Sequence, residues 1–191
     1  MHDDATLTAA LERIAPSAFS GYTYRIIDDE FRTDPLSGIG SVIRGGRYNA
    51  PRRFEALYSS DSRITALYEI AALFGDVDVP HSPELMLTLE VRLSRVLDLT
   101  ENALRDALGA TEDELVAPYL QDQLLSGEAP TQRLGRLAFD SSRFSALRVP
   151  SAARPAATNF VIFPARFASN EQVRLYDERG RWRQIRVGPP A

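Results

Sequence analysis

The chain has 191 residues, 44% hydrophobic and 25% charged, with a formal net charge of −4; this is ordinary globular composition, for which one domain is expected. It has no cysteine and only His2 and His81 as histidines, which excludes disulfides, thiol nucleophiles, cysteine-based metal centres and three-histidine sites; a serine triad would rest on His81 alone. All 22 basic residues are arginine, so Schiff-base chemistry and a P-loop lysine are excluded, guanidinium forks are the only side-chain cations besides histidine, and the net charge offers no case for direct nucleic-acid binding. No apolar stretch approaches the ~20 residues of a membrane span, and the start Met1-His2-Asp3-Asp4 is acidic where a signal peptide is basic. These features point to the cytoplasm, away from membranes.

Leu7, Leu11 and Ile14 fall at helical spacing, which predicts an amphipathic helix over residues 5–15, ended by Pro16. Tyr22 to Ile27 reads as a strand. From Asp28 to Arg47 five glycine or proline residues and no sustained period predict a long loop of the kind that serves a site. Ala56-Leu57-Tyr58 is a short strand. Asp61 is placed to cap a helix whose Ile64, Leu67, Ala71 and Phe74 form one apolar stripe, stopped at Gly75. Alternation from Leu85 to Leu93 predicts a half-buried strand. Thr100 and Thr111 are candidate N-caps, the latter in a T-x-x-E capping box with Glu114, for two or three short helices over residues 101–126. A further helix fits between Thr131 and Ser142. Ala146–Val149 and Asn159–Phe163 read as buried strands, and residues 172–187 as a terminal hairpin turning at Asp177-Glu178-Arg179-Gly180. Together these predict an α+β fold, a curved mixed sheet with packed helices.

Several residues combine type and position in ways that carry chemistry. Arg25 interrupts an apolar strand: it is either an edge arginine in water or a guanidinium facing the interior, where an anion has to meet it. In Arg44-Gly45-Gly46-Arg47-Tyr48-Asn49, paired glycines can turn N–H groups toward a ligand while Arg47 forks onto phosphate; the plain alternative is a turn with solvated arginines. The spacing matches neither a Walker loop nor a dinucleotide fingerprint. Glu69 lies beside Thr65 and Leu73 on the helical wheel, off the centre of the stripe, either as a surface carboxylate or as one partly buried to bind sugar hydroxyls or a developing cation. Tyr58 and Trp182 read as packing, and Ser151 and Asn159 as loop and strand-start residues, unless a site recruits them.

Taken in order, the pieces resemble a known family. Tyr24-Arg25, Pro35-Leu36-Ser37-Gly38, Gly45-Gly46-Arg47-Tyr48-Asn49, Leu57-Tyr58-Ser59, Thr65-Ala66-Leu67-Tyr68-Glu69, Leu147-Arg148-Val149-Pro150-Ser151 and Asn159-Phe160-Val161-Ile162-Phe163-Pro164 are similar to the RES domain, over about residues 22–167. Tyr48 stands where many members have tryptophan. The resemblance implies an ADP-ribosyltransferase-toxin-like fold and a bacterial toxin encoded beside an Xre-type antitoxin. Its activity would be consumption of NAD+, cleaving the nicotinamide–ribose bond by hydrolysis or phosphorolysis. NAD+ would be the substrate, with no cofactor and no metal.

Carried over residue by residue, the resemblance makes Glu69, Arg25 and Tyr58 catalytic. It assigns Arg47, Gly45, Gly46, Tyr48, Ser151 and Asn159 to NAD+ binding. Glu69 would stabilise the oxocarbenium-like ribose, Arg25 and Arg47 would hold the pyrophosphate with glycine N–H groups, and Ser151 would bind substrate or fix Glu69. Two other readings stand beside this one: a mono-ADP-ribosyltransferase acting on a protein acceptor, and a non-enzymatic interaction module with the same fold. The intact Arg25, Arg47, Tyr58, Glu69, Ser151 set argues against the module.

Overall fold

The computed structural model describes residues 1–74, 84–176 and 185–189. Its elements, in chain order, are helix α1 (Asp4–Arg13), strand β1 (Ser17–Asp28), helix α2 (Ile39–Arg44), strand β2 (Leu57–Ser60), helix α3 (Arg63–Phe74) and strand β3 (Glu84–Asp98). Four helices follow, α4 (Asn102–Ala107), α5 (Glu112–Val116), α6 (Leu120–Ser126) and α7 (Pro130–Asp140), then strands β4 (Ala146–Pro150), β5 (Thr158–Ile162), β6 (Gln172–Tyr176) and β7 (Ile185–Val187). The strands β6 and β7 pair antiparallel. Gly75, His81, Trp182 and the connection 177–184 lie outside the described residues. Among the described residues no helix is long and apolar enough to cross a membrane.

The mixed α+β content agrees with the sequence, but the sheet does more than curve. β1 pairs with both β2 and β3, and β2, β5, β4 and β3 follow one another, so five strands return on themselves. Closure depends on the length of β3. One edge runs along β1 from Glu84 to Val96; the other pairs with β6 through Thr88–Arg92 and then, in parallel, with β4 through Val96–Asp98.

Where β3 changes partner it carries an extra residue: Phe19 pairs with Leu93 and Ser17 with Val96, two steps against three. Such a bulge leaves ladder N–H groups unpaired and bends the strand. Glu171 fills the gap. Its Oε1 accepts the N–H groups of Ser94 (2.8 Å) and Arg95 (3.1 Å) and the hydroxyl of Ser145 (2.6 Å), while Oε2 accepts from Ala168 N (2.6 Å) and Arg95 Nη2 (3.1 Å). Burial alone pushes the Glu171 carboxyl up, but these donors outweigh it and hold its pKa below the usual range.

Strand alternation sorts the apolar side chains into two clusters. Leu57, Leu89, Val91, Leu93, Phe160 and Ile162 gather on one face, with Leu36 of the 29–38 loop buried among them. Leu97, Leu147, Val149 and Val161 lie on the other face, covered by Leu7 and Leu11 of α1, Leu115 of α5 and Leu134 of α7. Each of these leucines contributes about 1.5–3 kcal/mol by leaving water.

Of the three N-caps expected from the sequence, Thr111 acts as one. Asp3 accepts Thr6 N–H at 2.9 Å, and Thr111 and Glu114 form the capping box. Thr100 is not a cap: Glu101 holds that position, and Asp98 takes Thr100's N–H. The expected 28–47 loop contains a 3-10 turn at Asp29–Phe31 and the short helix α2.

Candidate active site

The helix α3 docks on β1 and β2 by a different side from the one its apolar residues suggest. Thr65 and Ala66 are buried; of the expected stripe Ala71 is buried, whereas Ile64 is 55% and Leu67 48% exposed. The surface α3 meets is polar, built from Ser60, Ser151 and Asn159, and small or hydroxylated side chains allow close approach there. Ser62 rather than Asp61 caps the helix, accepting Thr65 N–H at 3.1 Å; Asp61 instead takes the Thr65 hydroxyl (2.7 Å) and Thr158 N–H (2.9 Å). With Thr65 inward, Glu69 one turn later also faces in.

Glu69 is half-buried, and one of its oxygens is fully engaged. Oε1 accepts from Ser151 Oγ and from Asn159 Nδ2, each at 2.6 Å. The polarity of both bonds is fixed by a second layer. Ser151 Oγ accepts the N–H groups of Ala153 (3.3 Å) and Arg154 (3.0 Å), so its own proton goes to Glu69. Asn159 Oδ1 accepts the Ser60 hydroxyl at 2.7 Å, which turns its amide N–H toward Glu69. Oε2 makes no hydrogen bond among the described residues. The carboxylate is thus held by one oxygen and presents the other.

The glycine-rich turn reaches the same face through Tyr58. Gly45 has φ +77°, and a Cβ on Gly46 would sit 2.6 Å from the Tyr58 hydroxyl, so both positions require glycine. Tyr58 OH accepts Tyr48 N–H (3.0 Å) and donates to Asn49 Oδ1 (2.7 Å). The N–H groups of Gly45 and Gly46 go to Ser41 O and Asn49 O, at 2.9 and 2.8 Å. The glycines therefore serve by shape, and their donors are spent inside the protein. Tyr48 is 1% exposed, packed in the helix-covered core, and its hydroxyl has no partner among the described residues; it does not offer a stacking surface. Burial raises the pKa of both phenols far above the ordinary value, so both are neutral near pH 7.

Arg47 Nη1 donates to the carbonyls of Leu115 (3.4 Å) and Ala117, and the guanidinium lies over the Tyr119 ring, 5.1 Å from its centre. Its Nη2 and Nε make no bond among the described residues. Arg25 is placed elsewhere. Tyr24 pairs with Ser60, so alternation puts Arg25 on the opposite face of β1 from Glu69's partners, beside Leu87 and Leu89. Arg25 Nη2 donates to Ser37 O at 2.9 Å, Nη1 is buried without a hydrogen-bond partner among the described residues, and burial brings its pKa down to about 10, with Glu55 opposing. The structure thus brings together Glu69, Ser151, Asn159 and, through β2, Tyr58; Arg25 anchors the 34–38 loop.

Sequence reasoning missed Ser60 and Arg154 and gave Asn49, which it quoted in the glycine motif, no role of its own. Ser60 and Asn49 fix the amide of Asn159 and the phenol of Tyr58. The signal for Ser60 was adjacency, since it ends the strand that holds Tyr58; Asn49 stood in the family motif and closes the glycine turn. Among the described residues no group of three or more His, Asp or Glu side chains is placed to hold a metal.

The RES domain family model matches residues 23–183. The chain belongs to the RES domain family. Among curated proteins it is similar to the NAD(+) phosphorylase MbcT of Mycobacterium tuberculosis and of Mycobacterium bovis, each 33% identical over 87 residues, 43% of this chain and 47% of theirs. The chain thus spans about half the length of the curated relatives it matches. Its fold is similar to that in the crystal structure of the M. tuberculosis MbcT–MbcA toxin–antitoxin complex, with TM-score 0.71, 22% sequence identity and 90% of both chains covered. In this RES domain, hydrogen bonds of 2.6–3.0 Å join residues of the resemblance in two groups, Tyr48 with Tyr58, and Glu69 with Ser151 and Asn159.

Proposed function

We propose that this RES domain is an NAD+-consuming toxin of a toxin–antitoxin pair, cleaving the nicotinamide–ribose bond by phosphorolysis or hydrolysis, in an ADP-ribosyltransferase-like fold. The observation that carries the reading is Glu69, anchored through Oε1 by Ser151 and Asn159 with Oε2 open. Breaking the bond between a pyridinium and a sugar builds positive charge on the anomeric carbon, as in glycoside cleavage. A carboxylate fixed beforehand stabilises that charge without reorganising as it forms. Nicotinamide departs neutral, so the reaction needs no acid to protonate it. This fits a site whose phenols, Tyr48 and Tyr58, are held neutral by burial.

In this proposal Oε2 of Glu69 takes a ribose hydroxyl and faces the anomeric carbon. Arg47 holds the pyrophosphate with the donors its carbonyl partners leave free, a pair of charge-assisted bonds. Tyr58 keeps the turn that carries Arg47 in register with β2. Arg25 acts at a distance, by pinning Ser37 and the loop around it. NAD+ as substrate is supported by the activity for which the mycobacterial relatives are named. An antitoxin partner is supported by the toxin–antitoxin complex in which the similar fold occurs, and an Xre-type protein is the proposed form of that partner.

The test is the fate of label. The purified protein is incubated with NAD+ labelled in its adenylate half, with and without phosphate and a bacterial lysate. Label leaving NAD+ for ADP-ribose or its phosphate supports the reading. Label in protein moves the assignment to an ADP-ribosyltransferase, and label remaining in NAD+ overturns it.

A further inference from the structure

We propose that Arg154 forms the subsite for an inorganic phosphate acceptor beside Glu69, an inference that rests on NAD+ cleavage at that carboxylate. Arg154 is tied to the Glu69 constellation twice. Its backbone N–H donates to Ser151 Oγ (3.0 Å), the atom that donates to Glu69, and its Nη1 reaches Thr65 Oγ1 (3.2 Å), one helical turn before Glu69 on the same face of α3. The loop is turned back on itself there: Ser151 N–H donates to Ala157 O at 2.8 Å, and Ala156 is held at φ +60°. These anchors hold the Arg154 backbone at the Ser151 hydroxyl that binds Glu69 and its guanidinium at Thr65, whose hydroxyl donates to Asp61, one turn of α3 before Glu69, with no ion pair between Arg154 and Glu69 among the described residues.

That lack of pairing is the informative part. Arg95, Arg136 and Arg186, half-buried like Arg154, each meet a carboxylate at 2.8–3.1 Å. Arg154, like Arg25, Arg47 and Arg166, forms no salt bridge among the described residues, and its Nη2 and Nε make no hydrogen bond there. A two-pronged donor of this kind matches two oxygens of a phosphate. The charges also favour it. A phosphate dianion approaching the sugar beside Glu69 is repelled by the carboxylate, and a neighbouring guanidinium offsets that repulsion while leaving the Oε2 charge for the ribose. Arg47 is placed away from this point, with the glycine turn and Tyr119, so the two arginines serve different phosphates.

In the reaction an oxygen of HPO4²⁻ bonds to the anomeric carbon of the nicotinamide ribose as the carbon–nitrogen bond breaks. The electron pair of that bond stays on the nicotinamide nitrogen, which leaves neutral. The phosphate proton passes to water, and the product is ADP-ribose 1″-phosphate.

The experiment measures steady-state kinetics of the full chain with radiolabelled inorganic phosphate, varying phosphate at saturating NAD+ and the reverse. Wild type is expected to place label in ADP-ribose 1″-phosphate. Arg154→Gln is expected to raise KM for phosphate tenfold or more, with KM for NAD+ moving less than twofold. Arg154→Lys, which keeps the charge and loses the fork, is expected between the two and serves if the glutamine variant does not fold. Arg92→Gln, an exposed arginine on β3, controls for the change in net charge and is expected to keep both constants. An unchanged phosphate KM in folded Arg154→Gln, or a parallel rise in both constants, overturns the subsite. Wild type that cleaves NAD+ at a rate independent of phosphate overturns the subsite and leaves NAD+ cleavage standing. Wild type that does not cleave NAD+ removes both.

Discussion

Glu69 and Glu171 are both withdrawn from water, yet their surroundings give them opposite roles. Glu171 has donors on both oxygens, whereas Glu69 has two donors on Oε1 and none on Oε2 among the described residues. A saturated carboxylate holds structure; one with an open oxygen can act on a ligand. Glu171→Gln places an amide N–H against donors and is expected to destabilise the fold by about 3 kcal/mol. The pH dependence follows from the lowered pKa in the folded state. The stabilisation is fully present above the unfolded value of about 4.3 and is lost as pH falls through the lower folded value. Thermal melts should therefore show the Tm gap between wild type and Glu171→Gln narrowing below about pH 4; a gap that widens there contradicts this role. Arg47→Ala is expected to raise the apparent KM for NAD+ by the equivalent of about 1.5–3 kcal/mol, and to lower Tm by a few degrees because Leu115 O and Ala117 O lose their donor. Unchanged kinetics would take Arg47 out of the site. Glu69 itself was legible as a family position. Its orientation was not, because the helical wheel ranks faces by hydrophobicity and α3 docks on hydroxyls and amides.

At the scale of elements, the glycine turn is also clamped by α7. Gln132 Nε2 donates to Gly46 O at 2.9 Å, and a Cβ on Gly135 would lie 1.9 Å from Tyr48 O. That contact is with backbone, which cannot swing aside. Gly135→Ala is expected to cost about 1–3 kcal/mol as overpacking and to displace the turn that carries Arg47. Both a lowered Tm and a raised KM for NAD+ are therefore predicted; a fully stable variant with normal kinetics would show that the contact relaxes freely. Sequence identified the turn from its paired glycines and a helix between Thr131 and Ser142, because each has a local signature. That the two clamp one another was not legible, since Gln132 and Gly135 look like ordinary helix residues until the neighbouring chain is present. The same limit hid α2 within the 28–47 loop: six residues that include Gly40 and lie between Gly38 and Gly45 give no period to read.

For the whole molecule, closure of the five strands sets Glu69, Ser151 and Asn159 from three separate segments within hydrogen-bond reach. The alternation from Leu85 to Leu93 revealed half of β3; the bulge at Ser94 and Arg95 interrupts the period, so the end of the strand that turns onto β4 was invisible to pattern reading. The partner that stabilises the bulge, Glu171, lies more than seventy residues further along the chain, and no local rule connects them. The ordered motifs, in contrast, led to the family directly, because the site draws on residues whose order along the chain the fold preserves.

The most direct test compares turnover of NAD+ by wild type and Glu69→Gln. Glutamine keeps the shape and can still accept from Ser151 and Asn159 through its carbonyl, while the charge facing the anomeric carbon is gone. With Glu101→Gln, an exposed carboxylate, as control, Glu69→Gln is predicted to lower kcat by roughly 10²-fold or more at near-constant KM and Tm. Wild-type kcat in a folded Glu69→Gln variant would contradict the assignment of catalysis to this carboxylate.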